Sequence, residues 1–359
     1  MVSGLKEAML FETLLSGDVR CGVCARRCTI APDKTGFCRV RKNVGGTLYA
    51  LNYGYISSEA IDPIEKKPLY HFLPGTTTYS LGTFGCNFHC RHCQNHAISM
   101  PDESVYKAMF SDLGLSRFGE VVTPDEVIQR ALLLDTKSIS FTYNEPAVWF
   151  EFVYDTAVLA KENGLSVILV TNGYMTPEAL EKLAPYVDAY RVDLKSFTEN
   201  FYSEICSAHL NPVLESILKA KELGLYIEIV TLIIPGQNDG IEEAESAASW
   251  IIQNLGAETP VHLNAFLPHH QMEDIKSTSS AILERLRSIY MNVGLNYVYI
   301  GNTISDFQNT YCPECRSLLI NRIYSFGEST ADLDRIGDEF RCGRCGRIIS
   351  LICPNDIDF

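Results

Sequence analysis

Between residues 76 and 301 seven short apolar runs alternate with stretches of helical patterning, and this alternation limits the chain to few folds. The runs are Thr76 to Thr83, Ser138 to Tyr143, Ser166 to Thr171, Ala189 to Leu194, Tyr226 to Ile233, Val261 to Phe266 and Tyr297 to Ile300. Strands separated by helices call for a parallel sheet with helices outside it. Helix starts are marked chemically. Thr123-Pro124-Asp125-Glu126 combines an N-cap, a first-turn proline and a capping-box glutamate, and Thr176-Pro177-Glu178 repeats the first two signals. Gly164, Gly224 and Gly294 close helical stretches just before the next strand. The repetition predicts an α/β fold, a partial TIM-like barrel, with an open doubly wound sheet as the alternative. In such folds reactive residues gather at the C-terminal ends of strands. Polar residues interrupt this chain there: Tyr143-Asn144-Glu145, Thr171-Asn172, Asp193 and Lys195, Pro235-Gly236, and Asn264.

Thirteen cysteines fall mostly into three sets at metal-ligand spacing. Cys86, Cys90 and Cys93 share one short loop after the first strand, where Gly85 frees the backbone to turn. A cubane of four irons normally takes four thiolates, so three leave one iron open to a small molecule. A structural zinc loop is the competing reading, but zinc knots usually show two paired cysteines and no fourth partner lies nearby. His89, His92 and His96 read as loop-surface or cofactor-packing rings. Near the C-terminus Cys312, Cys315, Cys342 and Cys345 form two Cys-x2-Cys knuckles, a set suited to tetrahedral zinc, with a rubredoxin-type iron as the alternative. A module so poor in large apolar residues needs a staple of that kind. At the other end Cys21, Cys24, Cys28 and Cys38 offer four more thiolates. Bacterial ferredoxin spacing is tighter and followed by proline, so structural zinc is read there ahead of an auxiliary cluster. Cys206 and Cys353 stand apart; Cys206 reads as a small packing residue.

With 359 residues and 46% hydrophobic content, the chain suits one large core and small appendages. The expected division is a four-cysteine module with its extension over 1–75, a core over 76–305 and a zinc-ribbon-like module over 306–359. A formal charge of -14 disfavours a nucleic-acid partner, which usually meets a basic face. The start Met1-Val2-Ser3-Gly4-Leu5-Lys6-Glu7 has no apolar signal core, and no apolar run approaches the ~18 residues that cross a bilayer. The expectation is a soluble protein of the reducing cytoplasm, without membrane contact.

The cysteine loop matches the signature of the radical S-adenosylmethionine superfamily. Further segments narrow the resemblance: Asp62 through Gly75, Gly85 through Ser99, Thr142 through Pro146, Thr171-Asn172-Gly173, Asp193-Leu194-Lys195, Ile234 through Asp239 and Gly301-Asn302-Thr303. Together with the C-terminal cysteine pairs they resemble the radical enzyme family of the AmmeMemoRadiSam system, related to the pyruvate formate-lyase activating enzyme, from about residue 20 to 350. The resemblance implies six βα units around an open lateral face. It also implies a 4Fe-4S cluster on Cys86, Cys90 and Cys93, and S-adenosylmethionine whose amino and carboxylate groups complete the open iron. Glu145 would take the cofactor's ammonium, and Asp193 and Lys195, side by side on one strand face, would hold its polar groups. Thr171 and Asn172 are candidates for its hydroxyl or carboxylate groups. Two departures stand out. Tyr143-Asn144-Glu145 replaces the Gly-Gly-Glu of many relatives, and Val170 occupies the place of an aspartate that serves a cation site in the activating enzyme.

The implied activity is reductive cleavage of S-adenosylmethionine to a 5'-deoxyadenosyl radical that takes hydrogen from a protein or small-molecule substrate. A low-potential electron donor of ferredoxin or flavodoxin type would supply the electron. The competing class is an iron-sulfur and zinc carrier or scaffold that leaves the cofactor intact.

Overall fold

The computed structural model describes residues 5–102, 104, 106, 120–322 and 327–354. Its centre is an eight-stranded sheet. In chain order the strands are β1 (Ser58–Pro63), β2 (Thr77–Gly82), β3 (Ser138–Phe141), β4 (Ser166–Thr171), β5 (Ala189–Asp193), β6 (Tyr226–Ile233), β7 (Val261–Ala265) and β8 (Val298–Gly301). They lie side by side in that same order. From β2 to β8 neighbours are parallel, and β1 runs antiparallel along the β2 edge. The seven parallel strands stand where the apolar runs placed them. The edge strand β1 was not anticipated, because Ser58–Pro63 mixes Glu59 and Asp62 with its apolar residues and resembles a polar extension. The sheet's two edges, β1 and β8, do not pair with each other.

Helices α1 (Pro124–Leu133), α2 (Phe150–Glu162), α3 (Pro177–Leu183), α4 (Leu210–Glu222), α5 (Ile241–Asn254) and α6 (Ser280–Val293) link successive strands from β2 to β8. The capping box before α1 forms in both directions, and the Thr176 side chain accepts from Ala179 N at the start of α3. Side chains alternate across each strand. One set, including Val167, Leu169, Val192, Ile229 and Leu263, packs into a large core with Val153, Ile217 and Leu286 of the helices. The opposite set is mixed. Ile168, Ala189, Tyr297 and Tyr299 pack against Leu69, Tyr70 and Phe72 and against Leu319, Phe340 and Ile349 of the C-terminal module. Glu228 and His262, on that same face, bond each other at 2.6 Å, and Glu228 also accepts the backbone N–H groups of Tyr70 and His71. The segment after β1 and the C-terminal module thus fill the inner face at the N-terminal ends of the strands. The C-terminal ends are left as a cavity.

Two three-stranded antiparallel sheets form the N-terminal part, one from Lys6–Glu7, Thr47–Ala50 and Arg41–Val44, the other from Phe11–Thr13, Val19–Cys21 and Thr29–Ile30. The buried pair Arg41 and Glu151, 2.7 Å apart, ties this part to α2. Beyond β8 two further three-stranded sheets carry the last cysteines. All thirteen cysteines are free thiols. No helix among the described residues is long and apolar enough to cross a membrane.

Candidate functional site

The cavity at the strand ends measures about 360 Å³, within the roughly 300–1,000 Å³ common for small-molecule sites. Cys86, Cys90 and Cys93 form one wall; Glu145, Asn172, Asp193 and Lys195 face it. The residues expected to surround a cofactor therefore meet in one place, drawn from the ends of β2, β3, β4 and β5.

The cysteine loop leaves β2 through Gly85, whose φ is +88°. A Cβ there would come within 2.7 Å of the Cys38 carbonyl oxygen and 2.9 Å of Val40, so only glycine lets the loop pass so close to the N-terminal part. Asn144 fixes the same turn: it donates to Gly85 O at 2.6 Å and accepts from Thr83 N at 3.2 Å. A side chain thus secures the loop from the neighbouring strand end. On its far side the loop is held by His89 N and Arg91 N, which donate to the carbonyls of Cys206 and Ile205.

Glu145 is 1% exposed, and its carboxylate accepts from Thr171 Oγ1 at 2.8 Å, Asn172 N at 2.8 Å and Ala147 N at 3.0 Å. Burial pushes its carboxyl up to about 7 against the pull of those donors. A carboxylate so desolvated gains most from a cation placed beside it. Thr171 does not line the cavity; its hydroxyl is turned to Glu145, so it positions that carboxylate. Asn172 donates to the Asn87 side chain at 2.7 Å, next to Cys86.

Asp193, the last residue of β5, lies between two cations, Arg191 on the strand and Lys195 two residues beyond its end, so the pair does not share one strand as expected. Burial alone would raise its carboxyl, but the two positive charges outweigh it and hold the group below the usual range. Lys195 is raised in turn: Asp193 outweighs the burial that would lower it. Asn238 supports the Lys195 carbonyl at 2.8 Å, which brings the Ile234 to Asp239 segment to the site's edge.

Several wall residues were not singled out as ligand contacts by the sequence reading. Arg191 is one, and the Arg-x-Asp-x-Lys alternation in an otherwise apolar strand was a signal for it. Asp62, Lys67 and Tyr143 are others. Lys67 bonds Asp62 at 2.6 Å within its own segment, and Tyr143 bonds it at 3.2 Å across 81 residues of sequence that no local pattern spans. Tyr143 and Asn302 hold left-handed backbone at φ +71° and +60°, the kind of strain that collects at functional sites. Buried polar atoms on the walls lack partners: Arg191 Nε, Asn264 Oδ1 and His92 Nδ1. Because buried polar atoms are rarely left unpaired, these three fit a polar ligand with both donors and acceptors. Burial, and then the Lys195 charge, lower His92 to about 3, so the ring faces the cavity neutral. His96 stacks on His270 at 4.3 Å, outside the cavity lining.

The C-terminal sulfurs are compact. Cys312 and Cys345, and Cys315 and Cys342, are each 3.5 Å apart, and all four lie within 4.8 Å of one another.

The model of the radical SAM superfamily matches residues 80–250, which run from β2 into α5 and include the cysteine loop, Glu145, Asn172, Asp193 and Lys195. An uncharacterized protein of Methanocaldococcus jannaschii is 42% identical over 351 residues, 97% of this chain and 100% of its own length. A second protein of that archaeon, provisionally named a glycyl-radical enzyme activating enzyme, is 28% identical over 180 residues, 48% of this chain and 62% of its own. The (2S)-3-sulfopropanediol dehydratase activating enzyme of Klebsiella oxytoca is 20% identical over 154 residues, 43% of this chain and 48% of its own. The chain belongs to the radical SAM superfamily of enzymes, in a family that it shares over nearly its whole length with the first of these proteins, and is related to the activating enzymes of glycyl-radical enzymes.

Proposed function

We propose that the cavity binds S-adenosylmethionine between a 4Fe-4S cluster on Cys86, Cys90 and Cys93 and the polar wall formed by Glu145, Asn172, Asp193 and Lys195. The carrying observation is that these seven residues, from four different strand ends, line one cavity with unpaired polar atoms in its walls. Bound together, cluster and cofactor supply a one-electron cleavage that yields methionine and a 5'-deoxyadenosyl radical able to take hydrogen from a substrate. The chain's own residues do the holding. Glu145, fixed by three donors, is placed to receive the ammonium; Arg191 Nε and Lys195 offer charge to the carboxylate and ribose; Thr171 and Asn87 keep Glu145 and Asn172 in place. The neutral His92 ring and the buried Phe88 exclude water near the cluster.

The substrate is a protein or a small organic molecule, and two relatives named as activating enzymes support a polypeptide glycine as the hydrogen source. A low-potential donor of ferredoxin or flavodoxin type in a reducing cytoplasm would supply the electron, in keeping with thirteen free thiols. Zinc suits the C-terminal four: a metal–sulfur bond of ~2.3 Å sets a tetrahedral edge of about 3.8 Å, close to the 3.5 Å pairs seen. The partial-barrel description and the three-part division of the chain stay with this reading. Adding S-adenosylmethionine to the anaerobically reduced protein should shift the electron paramagnetic resonance spectrum of one cluster. A spectrum that does not respond would favour a carrier that leaves the cofactor intact.

A further inference from the structure

The N-terminal cysteines enclose a small cavity of their own. Cys21, Cys24, Cys28 and Cys38 all line it, and Val23, Ile30, Ala147 and Val148 close it with apolar surface. Zinc would draw such sulfurs to about 3.8 Å from one another. Among the described residues, the C-terminal four are the cysteine set whose sulfurs come within 4.8 Å; neither the loop three nor any three of the N-terminal four do so. Neither the N-terminal sulfurs nor those of the loop are thus drawn together as the compact set is. Sulfurs bound to the four separate irons of a cubane stand farther apart than sulfurs sharing one ion.

Two buried donors on the same cavity point to sulfur acceptors within it. Arg41, 2% exposed, gives both terminal nitrogens to Glu151 and leaves Nε without a partner. Asn87 is fully buried; its Oδ1 accepts from Asn172, and its Nδ2 has no partner. Thiolates and sulfides of a cluster would satisfy both, and hydrogen bonds to such sulfurs tune its potential. Asn87 also follows Cys86 directly, so a wall residue of this cavity is the chain neighbour of a ligand of the other. The N-terminal loop is fastened there, with Ala25 N donating to Tyr174 O and Thr176 N to Val23 O.

We propose that Cys21, Cys24, Cys28 and Cys38 hold a second 4Fe-4S cluster, ligated at all four irons, that relays single electrons to the loop cluster. Full ligation leaves no iron for a substrate, so one-electron transfer is the chemistry open to it. An external low-potential one-electron donor reduces the cluster by one electron, and passing that electron inward reoxidises it. The relay rests on the function proposed above; the presence of the cluster does not. This reverses the zinc reading drawn from spacing alone.

The full-length C86A/C90A/C93A variant, reconstituted anaerobically with iron and sulfide, tests the assignment without the loop cluster. It should retain about four irons and four sulfides per chain, alongside one zinc, and the wild type about eight of each. On reduction the variant should show a paramagnetic signal that S-adenosylmethionine does not alter. A variant with two zincs and no iron, together with a wild type holding about four irons, would overturn the cluster. A variant that holds iron no low-potential reductant can reduce would overturn the relay. A wild type with about eight irons but no response to S-adenosylmethionine would defeat the proposed function and leave the second cluster standing.

Discussion

Glu145 shows how one residue can be legible in role and illegible in support. Its place before a proline at a strand end, together with the family resemblance, marks it as a ligand contact. The three donors that hold it come from Thr171, Asn172 and Ala147, two of them at the end of another strand, and no local pattern displays that. The Glu145→Gln variant keeps the shape but loses the charge that meets an ammonium. Its affinity for S-adenosylmethionine should fall by roughly tenfold or more, the scale of one charge-assisted hydrogen bond, measured by anaerobic equilibrium dialysis; unchanged affinity would remove Glu145 from the cofactor. Arg191 illustrates the reverse. A charge in a strand reads as an interruption until Asp193 and Lys195 are seen on the same face, with the guanidinium between strand and cavity.

At the scale of elements, the seven parallel strands and their helices were legible because caps, stops and apolar runs are local. The antiparallel β1 was not, since its partner β2 begins fourteen residues after it ends and its own pattern is broken by charge. Strand-end geometry also depends on neighbours. Gly301, at the end of β8, sits so close to β7 that a Cβ would lie 2.1 Å from Asn264 Oδ1. Gly301→Ala should therefore cost about 1–3 kcal/mol of stability by overpacking and displace Asn264 from the cavity wall. Adding Asn264→Ala should restore much of the stability in urea titrations but not the affinity for S-adenosylmethionine. Full recovery of both would mean that Asn264 does not face the ligand.

For the whole molecule, the segment after β1, the sheet and the C-terminal module meet in one buried network. His71 bonds Tyr299 Oη at 2.6 Å and Ser350 O at 2.8 Å, and Glu228 and His262 lie beside it. Burial lowers His71 from 6.5 to about 4, with the Glu228 charge opposing, and lowers His262 as well. A histidine held neutral in the fold but free to charge when unfolded stabilises above the unfolded value. That contribution is complete above about pH 6.5 and is lost as pH falls toward about 4. His71 alone is worth about 3 kcal/mol over this window, and Glu228, held below its ordinary range because His262 and His71 together outweigh burial, adds loss in the same direction at the acid end. Urea unfolding followed from pH 7 to pH 4 should show this decline, and a His71→Asn variant should show a shallower one; a slope identical in both would exclude His71 as its source.

These scales converge on the three-cysteine loop, so the most direct measurement is the release of 5'-deoxyadenosine from S-adenosylmethionine by the reduced, reconstituted protein under anaerobic conditions. The wild type should release it, and the C86A/C90A/C93A variant should release none while keeping the metal of both terminal modules. Absence of 5'-deoxyadenosine from a fully loaded wild type, or its continued release by the variant, would contradict the account.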